Sequence, residues 1–118
     1  PYAFIVPVPL YPVRERERGY NQAALLARAL AGARPDWTLA TPVRRIRPTL
    51  SQTRLRGDAR RENVRGAFQA DGEDLQGRRV LLIDDVVTTG STVNECAGAL
   101  LHTGALSVDV LAVAFAWP

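Results

Sequence analysis

The chain has 118 residues, of which 47% are hydrophobic and 23% are charged, as in an ordinary globular domain. This length fits one domain, residues 1–118, with a real core. A single cysteine excludes an internal disulfide framework and a four-ligand zinc site. Because no apolar run reaches the roughly 18 residues of a membrane helix and no signal peptide opens the chain, we expect a cytoplasmic protein without membrane insertion.

The basic residues are unusual in type and in distribution. All fifteen are arginine, and the formal net charge is +3. Eight of them lie between Arg44 and Arg65, where Asp58 and Glu62 are the acidic residues. Arginine binds phosphates and carboxylates through two parallel hydrogen bonds. The segment is therefore predicted to face an anionic ligand, a nucleic acid or only solvent, and composition leaves these three alternatives open.

The first half of the chain predicts a strand, a helix and a second strand. The apolar run Phe4–Val8 indicates a strand, and its prolines place it at a sheet edge or a strand end. Residues Asn21–Ala31 are rich in alanine and leucine and predict a helix, with Asn21 as N-cap and Gly32 as the stop. Residues Trp37–Val43 indicate the second strand.

The second half repeats the pattern after the basic stretch and a surface turn at Asp71–Gln76. Residues Arg79–Ile83 form a continuous apolar strand, which is typical of burial on both faces of a parallel sheet. A helix follows over Thr92–Thr103 and ends at Gly104, and Val108–Ala116 is the last strand. The buried face of that helix is predicted to carry Val93, Cys96, Ala97, Leu100 and Leu101. This alternation predicts an α/β fold with a mainly parallel sheet, whose ligands bind at the carboxyl ends of the strands.

A polar motif stands at one such strand end, in the sequence VLLIDDVVTTGST of residues 80–92. Packing does not explain two adjacent carboxylates, whereas a vicinal diol would use Asp84 and Asp85 as acceptors. A glycine-containing turn that enters a helix is suited to a phosphate, although TTGST alone is also compatible with a capped helix start without a ligand. The motif lacks the lysine and glycine spacing of a Walker A loop. Together the two parts predict a ribose 5-phosphate site, with the phosphate held by Thr88, Thr89, Gly90, Ser91 and Thr92.

Three segments in order carry a family resemblance: VPVPLYPVRERERGYNQAALLARAL, RIRPTLSQTRLRGDARRENVRGAF and the motif above. They resemble the ComF family of competence-associated proteins, which are similar to type I phosphoribosyltransferases. The resemblance implies a type I phosphoribosyltransferase fold, with a sheet of about five strands flanked by helices and a flexible hood. ComF proteins commonly carry an N-terminal zinc-binding cysteine segment. Since this chain starts at Pro1 and contains no methionine, we expect it to be part of a longer protein.

The resemblance also implies roles for particular residues. Asp84 and Asp85 would hold the ribose hydroxyls of phosphoribosyl pyrophosphate (PRPP), and residues 88–92 its 5-phosphate. Mg²⁺ would be held near the aspartates mostly by oxygens of PRPP itself. Arg14 and Arg18 fall in the pyrophosphate loop, although their alternation with glutamates is equally typical of a solvated, self-paired run. The flexible lid would contribute Arg47, Thr49, Gln52, Arg60 and Asn63.

Two functions remain open at this point. One is a PRPP-binding phosphoribosyltransferase-like protein in competence and DNA uptake, whose acceptor the sequence does not identify. The other is a non-catalytic factor that retains the PRPP site as a sensor or relic and binds single-stranded DNA or proteins of the competence machinery. Many type I enzymes use a lid lysine that this chain lacks, so turnover itself is open. A homodimer is compatible with both.

Overall fold

The computed structural model describes residues 2–9, 21–47, 57–71, 75–87 and 90–115, without the side chain of Arg60. Strands and helices alternate along most of this chain. Four strands form a parallel sheet, and two more form a separate antiparallel ribbon. The elements in chain order are β1 (Phe4–Pro7), α1 (Gln22–Ala33), β2 (Thr38–Leu39), β3 (Val43–Arg45), α2 (Gly57–Val64), β4 (Phe68–Ala70), β5 (Arg79–Val87), α3 (Ser91–His102) and β6 (Ser107–Phe115).

The sheet has the strand order β2-β1-β5-β6, and β3 and β4 form the ribbon. Strand β5 is central, and its residues 80–83 are at most 6% exposed, which confirms the predicted strand buried on both faces. One core cluster joins β5 to α3 and the ribbon through Leu82, Cys96 and Phe68. A smaller cluster joins β5 to α1 through Leu81 and Ala27. Within the described residues, no helix is long and apolar enough to cross a membrane.

Helix α1 confirms the predicted N-cap but not the predicted stop. The Asn21 carboxamide oxygen accepts the Ala24 N–H at 3.2 Å. The helix continues through Gly32 to Ala33, and the residue that caps it is Arg34. Pro35 explains the difference, because a residue before proline is driven out of the helical region, and Arg34 has φ −126° and ψ 89°. The predicted stop at Gly32 was therefore wrong by two residues.

The predicted strand Trp37–Val43 was wrong, because this segment forms two strands in two sheets. Strand β2 pairs with β1 in parallel, and β3 pairs with β4 in antiparallel. The Ala40 N–H still donates to the Ile5 carbonyl at 3.0 Å, after which the chain leaves the sheet. Pro42 lies at the changeover, where its missing N–H would interrupt a continuous strand.

Helix α2 and the ribbon were not predicted from the sequence. The sequence of α2, GDARRENV, has a single large apolar residue, Val64, which is fully buried. One anchored residue gives no helical repeat to detect. The Gly66 N–H donates to the Glu95 carboxylate at 3.4 Å, so the end of this segment is bonded to α3.

The last helix and strand confirm the predicted elements, with boundaries shifted by one residue. Val93, Cys96 and Leu100 are buried as expected, whereas Leu101 is 47% exposed and does not belong to the buried face. Leu101 directly follows Leu100, and two consecutive helical residues are separated by about 100° around the axis. Gly104 follows the helix with φ +119°, which agrees with its predicted role as the stop.

Candidate functional site

The two aspartates lie inside β5 rather than after its end, because β5 continues from Ile83 to Val87. The expectation that the strand ends at Ile83 was wrong. The register with β1 ends at Ile83, where the Val8 N–H donates to the Ile83 carbonyl at 2.8 Å. The register with β6 continues, with Asp84 opposite Ala112. The aspartates therefore project past the end of β1, at the carboxyl edge of the sheet where such folds bind ligands.

Each aspartate side chain bonds the backbone of the next residue. The Asp85 N–H donates to Asp84 Oδ1 and the Val86 N–H donates to Asp85 Oδ1, both at 2.8 Å. Short side chains of this type bond nearby backbone groups readily. These bonds orient both carboxylates through Oδ1.

The two carboxylates differ in burial. Asp84 is 9% exposed and Asp85 is half-buried. Asp85 lines a groove on the α1 side of the sheet, whereas the charges that act on Asp84 include Arg45 of the ribbon, on the α3 side. Consecutive strand residues point to opposite faces. The two carboxylates therefore lie on opposite faces of β5, and Asp85 is the more exposed of the two.

Burial raises the pKa of Asp84 from 3.8 to about 7. A hydrogen bond with the Asp85 side chain and the charge of Asp85 also raise it, whereas the Asp85 backbone N–H and the Arg45 charge lower it. Both protonation states of Asp84 are consequently populated near neutral pH. This carboxyl group can act either as a hydrogen-bond donor or as an acceptor toward a sugar hydroxyl.

Helix α3 begins close to the aspartates and presents its positive end there. Gly90 is the N-cap with φ +88°, a conformation that favours glycine, and its carbonyl accepts the Asn94 N–H at 2.8 Å. The first turn has no acidic residue, and it contains Ser91, which is buried, and Thr92, which is half-buried. The Cα atoms of Val87 and Gly90 are at most about 11 Å apart along the chain. Gly90, Ser91 and Thr92 therefore start a helix near the carboxyl end of the strand that carries the aspartates, while Thr88 and Thr89 lie outside the described residues.

The loop between β1 and α1 starts and ends at the same edge. Asn21 Nδ2 donates to the Val8 carbonyl at 3.2 Å while the Asn21 side-chain oxygen caps α1. One side chain therefore joins the end of β1 to the start of α1, next to the aspartates on β5. The loop residues Arg14 and Arg18 lie outside the described residues, so their predicted contact with pyrophosphate stays a prediction.

Of the predicted lid residues, the structure describes the side chains of Arg47 and Asn63. Arg47 Nη2 donates to the Arg65 carbonyl at 2.6 Å and to the Glu62 carbonyl at 3.4 Å, so Arg47 binds the carboxyl-terminal end of α2. Asn63 is half-buried in α2, and Arg60 lies in the same helix. Thr49 and Gln52 lie outside the described residues. The contacts of Arg47 fit a structural role, and its role in a lid stays a prediction.

Arg45 is a site residue that the sequence analysis missed. It lies in β3, and its guanidinium carbon is 4.8 Å from the centroid of the Phe68 ring on β4. Its charge lowers the pKa of both Asp84 and Cys96 against the larger effect of burial. In the sequence it is one arginine among eight, and no motif distinguishes it from Arg44, which is exposed and pairs with Asp71 at 3.5 Å.

The described residues contain no cluster of three or more histidine, cysteine or acidic side chains that could hold a metal ion by itself. The site offers two carboxylates, Asp84 and Asp85. Mg²⁺ prefers oxygen ligands and is commonly bound through one or two carboxylates and the phosphates of a substrate. The donor set therefore fits Mg²⁺ that arrives on a pyrophosphate group, and it does not resemble a dedicated metal cage.

Comparison with known proteins agrees with this fold. The family model described as "Phosphoribosyl transferase domain" matches residues 17–116, and the chain therefore belongs to the phosphoribosyl transferase domain family. "Competence protein F" of Haemophilus influenzae is 40% identical over 112 residues, which cover 93% of this chain and 49% of that protein. "DNA utilization protein YhgH" of Escherichia coli K12 is 42% identical over 107 residues, which cover 90% and 46%.

A third relative is more distant. "Competence protein ComFC" of Bacillus subtilis is 33% identical over 100 residues, which cover 85% of this chain and 39% of that protein. These relatives confirm the resemblance to the ComF family. The chain spans about half the length of the first two and less of the third.

Proposed function

We propose that this chain is a PRPP-binding phosphoribosyltransferase-like domain that acts in competence and DNA uptake. One observation carries the proposal. A buried and a half-buried aspartate lie at the carboxyl edge of a parallel sheet, directly before a glycine-capped helix N-terminus. Carboxylates accept hydrogen bonds from a diol, and a free helix N-terminus binds a phosphate. The two parts match the two polar ends of a ribose 5-phosphate.

In this proposal the ribose lies over the edge of β5, and Asp85 accepts hydrogen bonds from its hydroxyls. Asp84, whose pKa is about 7, binds the second hydroxyl as an acceptor or a donor. The 5-phosphate meets the first-turn amides of α3 and the hydroxyls of Ser91 and Thr92, with Thr88 and Thr89 from the preceding turn. The helix dipole adds to this attraction because the first turn has no acidic residue.

The pyrophosphate of PRPP would extend toward the loop between β1 and α1, whose two ends Asn21 holds at the same edge. Arg14 and Arg18 of this loop would bind it, and Arg47, Thr49, Gln52, Arg60 and Asn63 would belong to a lid. Mg²⁺, when bound with the substrate, neutralises charge on the departing pyrophosphate.

If the domain is an enzyme, an acceptor displaces pyrophosphate from the anomeric carbon through a transition state with oxocarbenium character. The chain's own residues then orient the sugar, hold the phosphate and place negative charge near the cationic ring. All basic residues here are arginines, which remain protonated near neutral pH. A lid arginine can therefore supply charge but no proton.

Calorimetric titration of PRPP with and without Mg²⁺ tests the proposal. The intact chain should bind PRPP saturably and more tightly with Mg²⁺. The double variant Asp84→Asn, Asp85→Asn should lose at least about 100-fold in affinity, since hydrogen bonds to charged groups contribute about 1.5–3 kcal/mol each. The control Asp36→Asn, Asp109→Asn removes the same charge away from the site and should bind as the intact chain does. No binding by the intact chain would refute the proposal.

A second candidate is a non-catalytic factor that binds single-stranded DNA or competence proteins. The segment of eight arginines favours it, as does the name "DNA utilization protein YhgH" of the Escherichia coli relative. Several of these arginines pair with acidic side chains of the chain itself, for example Arg65 with Glu62 at 3.3 Å. Such exposed pairs are weak, and a DNA phosphate can replace the carboxylate. A cytoplasmic location and a homodimer belong to this proposal for either candidate.

A further inference from the structure

Strand β6 differs from its neighbour β5 in how much apolar surface it leaves open. The residues of β6 are mostly apolar, and Asp109 is its one charged residue. Val110, Leu111, Val113 and Phe115 are 41–69% exposed, whereas residues 80–83 of β5 are at most 6% exposed. A strand in a parallel sheet is normally covered on both faces. The exposed apolar residues of β6 therefore indicate a surface that another element covers.

The backbone of β6 is open as well. In the described part of the chain, β6 is the last strand of the sheet and pairs with β5 alone. Proteins usually protect an exposed edge with lysine, proline, a bulge or an inward-pointing charge. The nine residues of β6 include no lysine and no proline, and Asp109 accepts a hydrogen bond from Tyr2 at 2.7 Å. This edge is suited to accept another strand.

A groove of about 430 Å³ adjoins this edge on the α1 side of the sheet. Leu25, Leu26 and Ala29 of α1 form one wall, and Val113 and Ala114 of β6 form another. Gln22 and Asp85 also line the groove, so it adjoins the proposed ribose site. Leu25 is 50% exposed and Val86, at the base, is 40% exposed. In α/β folds the helices lie side by side on a face of the sheet. The groove occupies the position of the next helix beside α1.

We propose that the edge of β6 and this groove bind a strand and an amphipathic helix supplied by the part of a ComF-type protein that lies outside the region matched here. The matched region makes up 49% and 46% of two curated relatives, so about as much polypeptide again accompanies the domain in those proteins. A second copy of this chain fits less well. A two-fold dimer places the same patch on both sides, and two identical grooves do not fill each other.

Photo-crosslinking in the intact Haemophilus influenzae relative tests this inference. A benzophenone amino acid would replace the residue aligned with Val113, and a control would carry it at the residue aligned with Leu39, in the opposite edge strand. We expect the first to cross-link within one polypeptide to the half outside the matched region, and the control to give no such product. A cross-link between two copies, or only to the matched half, would overturn the proposal.

Amide hydrogen exchange provides an independent measurement on the same surface. In the 118-residue chain, the β6 amides that point away from β5 should exchange rapidly. In the intact relative, the aligned amides should exchange at least about 100-fold more slowly, because a ladder bond must open first. Equal rates in both proteins would contradict the added strand. Neither measurement depends on PRPP, so this inference and the proposed function can fail separately.

Discussion

The β5–α3 junction and the arginine-rich segment both carry residues predicted to bind the ligand, yet they are built in different ways. At the junction, burial and backbone bonds fix the polar groups. Asp84 and Asp85 each bond the next backbone N–H at 2.8 Å, and Gly90 sets the helix start. In the arginine-rich segment, Arg61 and Arg65 pair with exposed acidic residues of the same segment, and Arg44 pairs with Asp71, just after β4.

The groups at the junction are therefore already held in place in the free protein, whereas the arginines of the segment can exchange one ionic partner for another. Removing a junction group changes the stability and chemistry of the fold, because the surrounding core determines its position. Removing a surface arginine changes little in the free protein, since exposed ion pairs contribute about 0–1 kcal/mol. The arginine-rich segment can therefore affect binding without affecting folding, and the predictions below test this contrast.

The largest effect is expected for Asp84→Asn, measured as unfolding free energy against pH. The folded protein retains the Asp84 proton up to a pKa of about 7, whereas the unfolded chain releases it near 3.8. Stability of the intact chain should therefore fall as pH rises between these values. The variant lacks this loss, so its stability relative to the intact chain should rise by on the order of 4 kcal/mol between pH 4 and pH 8.

The matched control for this prediction is Asp36→Asn. Asp36 is exposed and pairs with Arg34 at 3.6 Å. Its replacement should change the pH dependence by less than about 0.5 kcal/mol. Parallel stability curves for the intact chain and Asp84→Asn would show that burial does not shift this carboxyl group.

Gly90→Ala should cost about 1–2 kcal/mol of stability, because an L-residue is strained at φ +88°. An added Cβ would be 3.9 Å from Asn94 Nδ2, so the loss comes from the backbone rather than from a clash. Thermal unfolding measures it. Gly98→Ala, inside the same helix with open space around it, should instead stabilise by about 0.5–1 kcal/mol. Effects of the same sign would contradict this account of the helix start.

Arg45→Met tests the one arginine that connects the two regions. Losing the contact with Phe68 should cost about 1 kcal/mol, and losing the charge should raise the pKa of Asp84 above about 7. Carbon-13 NMR of the Asp84 carboxyl group follows this titration. Arg44→Met, the neighbouring exposed arginine, should leave it unchanged. An unchanged Asp84 titration in Arg45→Met would remove Arg45 from the site.

The smallest stability effect is expected for Arg61→Ala with Arg65→Ala, below about 0.5 kcal/mol for each replacement. If the segment binds single-stranded DNA, the salt dependence of affinity should become less steep by about one unit per arginine. Fluorescence anisotropy at several salt concentrations measures this slope. Arg28→Ala with Arg78→Ala, two exposed arginines outside the segment, is the control. Equal slopes for both pairs would count against DNA binding by this segment.

The sequence was informative where hydrophobic pattern and structure coincide. The run at residues 79–83 has no polar residue after Arg79 and is buried on both faces, as predicted. Asn21 and Gly104 act on the backbone next to them in sequence, Asn21 as a helix N-cap and Gly104 as a helix stop, and both act as predicted. The grouping of Gly90, Ser91 and Thr92 with the two aspartates followed from the short chain between strand and helix.

The errors arose where tertiary contacts decide. Nothing in the sequence after Ile83 shows that pairing with β6 extends β5 to Val87. The aspartates were therefore predicted to follow the strand, whereas they lie within it. The ribbon depends on pairing between residues 43–45 and 68–70, which are separated by a basic stretch without apolar repeat. Arg45 acts near Asp84 only because that ribbon packs on α3, and no local pattern encodes this contact.

The measurement that tests the central claim most directly is a titration of ribose 5-phosphate into the nitrogen-15-labelled chain, followed by NMR. We predict saturable shifts of the amides of Ser91, Thr92 and Val93 from the phosphate, and of Asp85 and Val86 from the sugar. In the double variant Asp84→Asn, Asp85→Asn, the amide shifts in β5 should disappear. Inorganic phosphate alone should still shift the amides at the start of α3 in this variant. Shifts confined to α2, or none at all, would contradict a ribose 5-phosphate site at the β5–α3 junction.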